Sequence, residues 1–429
     1  MFTYIRLKNF KSLGDVTFDF RKKKEPASFR DVKQFIAIYG ENGSGKSNFA
    51  ESIVLLIDSM NSFREKCMST GNSWEDYRTI DCNETSEAEY GILIRGKEFR
   101  YKMGFRDVLV YEELSCGADG MVFRVNSMAD GTIGKEFREG VFSEEFEQFY
   151  VESEIDAHWG RYSFLGKMAC CIAEDKYELP KASIPEDIAD FAETVGHMFA
   201  SLHSRYGDIK LPQSNKYILD IFNEDNHSIA NVEEEKQLLE NTKKILDDFL
   251  RQAYPDIARC FYTSRGEKNG RMDYEFCIQK NLSKRMFCIL PLKEESEGTH
   301  NSIEILRCLI NVYNGGLSVC DGFDCGIHDF LLETMLLSAK ERMAELSANA
   351  EGSEQEFTGQ LVFTTHSTHL LNTLYPDEVY LISSDDYGEK SVSCMGGFNL
   401  NKRDSIRHRY IYGYFGGLPK AGGIDYTFA

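Results

Sequence analysis

The apolar positions of this chain form strand-like runs at both ends and helix-like runs in the middle. Before residue 126, apolar side chains alternate or run continuously over short stretches, which is typical of β-strands. These stretches lie at residues 2–10, 16–20, 35–39, 89–94, 98–103 and 108–111. Glycine and aspartate separate the last three stretches, so the sequence predicts an antiparallel meander there.

Residues 126–270 are predicted to form a mainly helical insertion. One helix is expected to begin at Pro185 and to run toward Ser201. A second helix should follow Asn231, because Glu234 three residues later completes a capping-box pattern. Strand patterns then return at residues 273–278, 285–290, 316–321 and 360–366.

A glycine-rich loop follows the apolar stretch at residues 35–39. Residues 40–47 have the sequence G-E-N-G-S-G-K-S, which fits the pattern G-x-x-x-x-G-K-[ST], and a helical pattern comes directly after them. Glycines let backbone N–H groups converge on phosphate, and the positive end of the helix dipole favours its charge. Lys46 is predicted to neutralise the β- and γ-phosphates of ATP, and the Ser47 hydroxyl to ligate Mg²⁺. The residues predicted to contact nucleotide in this loop are Asn42, Gly43, Gly45, Lys46 and Ser47.

A second candidate for anion binding lies before another predicted helix. Ser296, Gly298 and Thr299 offer small-residue N–H and O–H donors at the positive end of that helix. The glycine-rich loop at residues 40–47, a P-loop, already occupies one side of the phosphates. The loop at residues 296–299 is therefore most useful if it faces a nucleotide held by another subunit. That is the arrangement of a head-to-tail dimer. The alternative, that these residues only cap their own helix, stays open.

Two later strand patterns end in residues suited to ATP chemistry. Asp321 ends the stretch at residues 316–321, where a P-loop protein holds its Mg²⁺-bound water, so it is a candidate catalytic residue and metal ligand. His366 ends the stretch at residues 360–366, where it can sense the γ-phosphate or orient the attacking water. A histidine that only makes structural hydrogen bonds at a strand end is the alternative.

Composition and charge favour a cytoplasmic protein. No signal peptide opens the chain, and no apolar run approaches the ~20 residues that span a bilayer, so no membrane association is expected. The twelve cysteines are scattered without C-x-x-C pairs, which is typical of reduced thiols. The net charge of −20 disfavours general attraction to nucleic acid. Basic clusters at residues 21–24 and 403–409 keep nucleic acid open as a partner, although solvated surface charge explains them as well.

The order of these motifs resembles that of ABC-type ATPases related to SMC and RecF proteins. More narrowly, it is similar to bacterial AAA-type ATPases of the RloA and overcoming-lysogenization-defect (OLD) kind. The resemblance rests on the L-K-N-F-K-S start, the S-E-G-T loop, the T-T-H-S segment and a C-terminal box, at residues 7–12, 296–299, 364–367 and 403–419.

This resemblance implies an α/β fold, namely an ABC-type P-loop ATPase head. Such a head has a mixed sheet, an antiparallel β subdomain and, in this chain, a helical insertion. Residues 1–125 and 271–429 would form the N- and C-terminal halves of the ATPase domain, with residues 126–270 inserted between them.

The resemblance also implies a function and reveals one departure from the family pattern. Such ATPases commonly act in bacterial antiphage systems, including PARIS and Septu, together with a separately encoded nuclease. The family places a water-polarising glutamate directly after the Walker B aspartate, but Gly322 follows Asp321 here. Loss of a general base typically costs ~10²–10⁴-fold in rate, so we expect ATP binding with slow or undetectable hydrolysis. If hydrolysis were rapid, Asp324 or His366 would be the suspected substitute base.

Three alternatives remain at the level of the sequence. A RecF-like repair ATPase would bind duplex DNA. A nuclease acting by itself would need a Toprim domain, for which the residues after the C-terminal box leave no room. Finally, Asp321, Asp324 and His328 could form a separate metal cluster, although the ATPase interpretation already explains these residues.

Overall fold

The computed structural model describes most of the chain. The residues it describes are 1–26, 28–65, 73–80, 82–117, 120–140, 142–146, 148, 155–173, 184–196, 198–202, 217–219, 221–222, 228–230, 233–268, 271–349, 357–400 and 405–418. No helix among them is long and apolar enough to cross a membrane.

Seventeen strands and eight helices with defined bounds build the described part of the chain. The strands are β1 Phe2–Phe10, β2 Leu13–Asp19, β3 Phe35–Gly40, β4 Ser86–Ile94, β5 Lys97–Phe105, β6 Leu109–Cys116, β7 Gly120–Ser127, β8 Ile133–Phe137, β9 Phe199–Leu202, β10 Ser228–Ala230, β11 Ile257–Lys268, β12 Arg271–Ser283, β13 Met286–Pro291, β14 Leu317–Asp321, β15 Gln360–Thr364, β16 Val379–Ser384 and β17 Lys390–Cys394. The helices are α1 Lys46–Glu65, α2 Ile155–His158, α3 Phe164–Ala173, α4 Glu186–Gly196, α5 Glu233–Ala253, α6 Glu297–Tyr313, α7 Asp329–Asn349 and α8 Ile406–Ile411.

The first large sheet is antiparallel. Its seven strands have the order β2-β1-β4-β5-β6-β7-β8, and the predicted meander corresponds to β4, β5 and β6, each antiparallel to the next. Along β2 and the middle of β5, buried side chains alternate with more exposed ones, as the period of two in the sequence predicts. One face of this sheet therefore belongs to the core, and the other carries charged side chains.

The second large sheet carries the P-loop and is mostly parallel. Its order is β17-β16-β3-β15-β14-β9, and only β17 at one edge is antiparallel to its neighbour. Four of these strands, β3, β14, β15 and most of β16, are buried along their length, which explains why their sequences are continuously apolar. The mixed sheet that carries the P-loop and the antiparallel sheet confirm the predicted α/β fold.

Helix α1 lies between the two large sheets. Residues 52–60 are all buried, and α1 contacts β1 of the antiparallel sheet and β3, β14 and β15 of the parallel sheet. This part of α1 has no exposed face, so its sequence lacks the amphipathic pattern of a surface helix. The opposite face of the parallel sheet is covered by α6, α7 and α8. These layers fix α1, and hence the P-loop before it, between the two large sheets.

The middle of the chain contains strands as well as helices. Helix α5 packs on a third sheet, in which β12 pairs with β10, β11 and β13, and helix α6 contributes apolar residues to the same core. The predicted helix after Pro185 ends at Gly196, earlier than expected, because Phe199–Leu202 forms β9 at the edge of the parallel sheet. Asn231 lies outside the described residues, and α5 begins at Glu233. The division into residues 1–125, 126–270 and 271–429 stays a prediction.

Candidate nucleotide site

Three adjacent parallel strands bring the predicted site residues together. The strand order β3-β15-β14 means that the carboxyl ends of these strands lie side by side at one edge of the sheet. The P-loop follows β3, His366 follows β15, and Asp321 is the last residue of β14. This edge is where open α/β sheets bind their ligands. The P-loop and His366, which are more than 300 residues apart in the sequence, are thus brought to the same edge of the sheet.

The P-loop wraps around the first turn of α1. Gly43 and Gly45 have positive φ angles of 78° and 106°, which disfavour a residue with a side chain. A Cβ atom at Gly45 would also lie 2.7 Å from Leu13 Cδ2, so β2 leaves no room for one. Asn42, Gly43 and Ser47 are exposed at the mouth of the loop, while Ser44 and Lys46 are buried inside it.

The buried polar groups of Lys46 and Ser44 have few partners within the described part of the chain. Lys46 Nζ donates hydrogen bonds to the carbonyl oxygens of Gly40 and Glu41, at 3.0 and 2.9 Å. Burial lowers the pKa of Lys46 to about 8, and the negative charges of Asp321, Asp324 and Glu41 act in the opposite sense. The buried Ser44 hydroxyl has no hydrogen-bond partner among the described residues. A desolvated ammonium group beside an unpartnered donor fits a polyanionic ligand such as a triphosphate.

Asp321 is held in one orientation by Thr364, a residue of the T-T-H-S segment to which the sequence analysis assigned no role. Thr364 Oγ1 donates a hydrogen bond of 2.5 Å to Asp321 Oδ1, and the same hydroxyl accepts one of 2.8 Å from the Gly322 N–H. Thr364 ends β15 and is buried. The T-T-H-S segment and the polar end of the apolar run L-V-F-T both point to this position, but neither indicates which strand lies beside it.

Asp324 connects the end of β14 to the end of β15. Its carboxylate accepts a hydrogen bond from the His366 backbone N–H, with N–O distances of 3.1 and 3.3 Å. Burial and then the positive charge of Lys46 lower the pKa of His366, so its imidazole is neutral near pH 7. A neutral imidazole has one donor and one acceptor nitrogen, which suits contact with phosphate or with water. His366 therefore lies within the electrostatic reach of both Lys46 and Asp324.

The backbone at Gly322 takes a conformation that other residues avoid. Its φ angle is 71°, in the left-handed region, where a residue with a Cβ atom costs roughly 1–2 kcal/mol. The turn is closed by a hydrogen bond of 2.9 Å from the Cys325 N–H to the Gly322 carbonyl oxygen. The backbone conformation of the loop thus favours glycine at position 322. The difference from the family pattern therefore involves the backbone as well as the missing glutamate side chain.

The structure gives no support to a separate metal cluster after β14. His328 Nδ1 accepts a hydrogen bond of 3.2 Å from the Phe330 N–H, so this nitrogen faces the start of α7. Within the part of the chain that the structure describes, no group of three or more His, Cys, Asp or Glu side chains could hold a metal ion. Asp321, Asp324 and His328 therefore do not form the cluster that was one alternative from the sequence.

The loop at residues 296–299 caps its own helix and also presents an exposed surface. Ser296 is the N-cap of α6, where its hydroxyl accepts from the Thr299 N–H at 3.3 Å. A Cβ atom at Gly298 would collide with the carbonyl oxygen of Gly326, so this glycine allows close packing against the loop after β14. Thr299 is only 2% exposed, whereas Ser296 and Glu297 are exposed. The capping alternative is thus observed, and whether Ser296, Gly298 and Thr299 also bind nucleotide in a second copy stays a prediction.

The C-terminal box is partly described. Arg403, Asp404 and Pro419 lie outside the described residues. Tyr410 of α8 packs on Tyr39 of β3 with ring centroids 5.6 Å apart. The C-terminal box therefore contacts the strand that carries the P-loop. The nearby basic side chains are engaged within the chain: Arg407 contacts Thr368 and His369, and Arg409 lies over the ring of Tyr414.

Comparison with known proteins gives a match to one family model, and the similar solved structures include two of RecF. Residues 35–113, which contain the P-loop, match the family model described as "AAA domain, putative AbiEii toxin, Type IV TA system". The structure described as the recombination mediator protein RecF-ATPrS in the RecFOR pathway is 14% identical, with a TM-score of 0.37, and the alignment covers 91% of this chain and 98% of that one. The corresponding RecF-ATP structure is 13% identical, with a TM-score of 0.35, over 85% of this chain and 91% of that one. None of the curated proteins matches the chain.

Proposed function

We propose that this chain is the ATP-binding sensor or scaffold subunit of a bacterial antiphage complex. It works in the cytoplasm, hydrolyses ATP slowly or not at all, and controls a separately encoded nuclease. The observation that carries the nucleotide part is the convergence of Lys46, the Asp321–Thr364 pair and His366 at the ends of β3, β14 and β15. The antiphage role and the nuclease partner are supported by the resemblance of the motifs to RloA- and OLD-like ATPases, in systems such as PARIS and Septu.

Different groups of the chain would bind the phosphates and the Mg²⁺ ion of Mg²⁺-ATP. The backbone N–H groups of the P-loop and the Lys46 ammonium bind the phosphates. The Ser47 hydroxyl and Asp321 would hold Mg²⁺, and Thr364 keeps the Asp321 carboxylate fixed. The ion, when bound, supplies neutralisation of the phosphate charge. Because Gly322 has no side chain to polarise water, we infer slow turnover with intact binding.

Assembly is proposed to use the two anion-binding pieces from different copies. In this arrangement the P-loop of one copy faces the loop at residues 296–299 of the other, and the nucleotide lies between them. The exposed Ser296 and Glu297, and the N-terminus of the 17-residue helix α6 behind them, are the groups available for this contact. ATP would then stabilise the assembled state only by its higher affinity for that state.

The experiment that tests this function compares mass and nucleotide binding in the native complex. The chain is purified with the proteins encoded beside it, and its mass is measured by light scattering with and without Mg²⁺ and a non-hydrolysable ATP analogue. We expect the analogue to increase the mass, and Lys46→Ala to remove this increase. Lys46→Ala should weaken nucleotide binding about 10- to 100-fold, the worth of a charge-assisted contact of about 1.5–3 kcal/mol. Lys236→Ala, which changes an exposed lysine of α5, is the matched control. An assembly that ignores both nucleotide and Lys46→Ala would contradict the proposal.

A RecF-like DNA-binding function is the second candidate. The basic residues 21–24 favour it, although Arg21 pairs with Asp19 at 2.7 Å and Lys23 pairs with Asp31 at 2.5 Å. Retention of duplex DNA on filters, stimulated by ATP and lost steeply with added salt, would support this candidate. A chain that binds nucleotide and gains mass but retains no DNA would favour the sensor.

A further inference from the structure

The loop after β14 contains Asp324, a carboxylate that could act as a general base in place of the absent glutamate. Gly322 is held by its left-handed backbone and by the hydrogen bond from its N–H to Thr364 Oγ1, so the chain turns sharply at this point. Phe323 then enters the core, where its ring packs 4.5 Å from that of Phe363, and its N–H donates to the Thr364 carbonyl oxygen at 2.9 Å. The carboxyl ends of β3, β15 and β14 form one edge of the parallel sheet, which we call the nucleotide edge. Asp324 is therefore the first carboxylate after Asp321 that can face the nucleotide edge.

Asp324 is fixed at that edge. Both oxygens of its carboxylate lie within 3.3 Å of the His366 backbone nitrogen, and the side chain is half-buried. Its charge acts on Lys46, at the start of α1, and on His366, after β15, which are the residues proposed to contact the phosphates. A half-buried carboxylate held by a single N–H donor keeps lone pairs available for a water molecule.

We propose that Asp324 is the general base for the residual ATP hydrolysis of this chain. This inference rests on the proposed function, because it requires ATP at the P-loop. An attacking water oxygen forms a bond to the γ-phosphorus while Asp324 accepts the proton of that water. The bond between the γ-phosphorus and the β–γ bridging oxygen breaks, and its electron pair leaves with ADP. The proton then passes from Asp324 to solvent, and the products are ADP and inorganic phosphate.

The reach of Asp324 explains why hydrolysis should be slow but measurable. A glutamate directly after the Walker B acid extends from a strand end, whereas Asp324 lies three residues along a turn and has a shorter side chain. A general base typically contributes ~10²–10⁴-fold, and that contribution falls when the carboxylate is displaced from its best position. His366 is then left to contact phosphate or water through its neutral ring and serves as a positioning residue.

The test uses Asp324→Asn in the full chain with two measurements. Asparagine keeps an oxygen that can accept from the His366 N–H but cannot act as a base, so the loop should be preserved. Single-turnover hydrolysis of ATP is measured with excess protein, and the Kd for a non-hydrolysable ATP analogue with Mg²⁺ is measured by fluorescence. We expect Asp324→Asn to slow hydrolysis by about 10²-fold or more and to change the Kd less than about threefold.

A matched control is Asp329→Asn, because Asp329 is the first residue of α7, directly after this loop, but its carboxylate contacts Ser367 and His369. This variant should keep both the rate and the Kd. Hydrolysis that is unchanged in Asp324→Asn would overturn the inference, as would a Kd that rises in proportion to the loss of rate, since Asp324 would then be a binding group. A wild-type chain that binds the analogue but hydrolyses no ATP in a single turnover would also overturn it, while leaving the proposed nucleotide-dependent assembly intact.

Discussion

The two charged regions of this protein differ in whether their charges are satisfied within the chain. On the outer face of the antiparallel sheet, six charged residues lie directly opposite one another across neighbouring strands and alternate in sign. This row consists of Arg6, Glu89, Lys102, Glu113, Arg124 and Glu136 on β1, β4, β5, β6, β7 and β8. Each member has an ion-pair partner within 4.0 Å, in the row or beside it. We call these six residues the charge row.

The nucleotide edge of the parallel sheet has the opposite character. Lys46 is buried, and within the described ranges no carboxylate lies at ion-pair distance from it. Its ammonium group instead donates to two backbone carbonyls, and the neighbouring Ser44 hydroxyl has no partner among the described residues. Exposed pairs such as those of the charge row contribute little and serve register and solubility. A buried charge without a counter-charge lowers the free energy of unfolding of the ligand-free chain. Such a charge is typical of a site that binds a ligand of opposite charge.

The largest effect is expected at Thr364, which fixes Asp321 at the nucleotide edge. Thr364→Val keeps the shape of the side chain but removes the hydroxyl that fixes Asp321 and accepts from the Gly322 N–H. The Mg²⁺-dependent part of ATP affinity should fall about 10- to 100-fold, as for other residues that orient metal ligands. Affinity is measured with and without Mg²⁺, and Thr364→Ser, which keeps the hydroxyl, is the control. Equal losses in the absence of Mg²⁺ would mean that the threonine acts on the fold and not on the metal site.

The second prediction concerns pH and the buried ammonium group of Lys46. With a pKa of about 8 in the free chain, Lys46 is protonated below pH 8 and increasingly neutral above it. Bound triphosphate favours the protonated form, so binding above pH 8 requires uptake of a proton and the affinity should fall with rising pH. The loss should reach about tenfold at pH 9, because only a small fraction of Lys46 is then protonated. Titration calorimetry from pH 7 to 9.5 measures this, and Lys46→Arg, which stays charged, should give a weaker but flat profile.

The smallest effect is expected in the charge row. Glu89→Gln removes one charge between Arg6 and Lys102 while leaving the amide able to contact Tyr4 and Arg100. The free energy of unfolding should change by only about 0.2–1 kcal/mol, and less at high salt, because these pairs are solvated. Nucleotide affinity should not change. A loss of nucleotide affinity in Glu89→Gln would break the distinction between the two regions.

Much of the fold followed from patterns of two kinds. Alternation predicted β1, β2, β4, β5 and β6, and continuous apolar runs predicted the buried strands β3, β14 and β15, because burial on one face gives an alternating pattern and burial on two faces a continuous one. No strand was predicted at β7 or β8. The helix after Pro185 was predicted to run too far, because its last residues are recruited as β9 beside β14. That recruitment depends on a distant partner strand and has no local signal.

The sequence by itself determined the chemistry of the nucleotide edge: the P-loop with Lys46 and Ser47, Asp321 and His366 at strand ends, and the glycine at position 322. Each is a local feature, because a short segment contains both the residue and its strand or helix. Only the tertiary structure decided which groups act on one another. Thr364 meets Asp321, and Asp324 meets His366, because β14 and β15 are neighbours in parallel register. Strand order and register are set by packing across the whole sheet, and no pattern within a single segment encodes them.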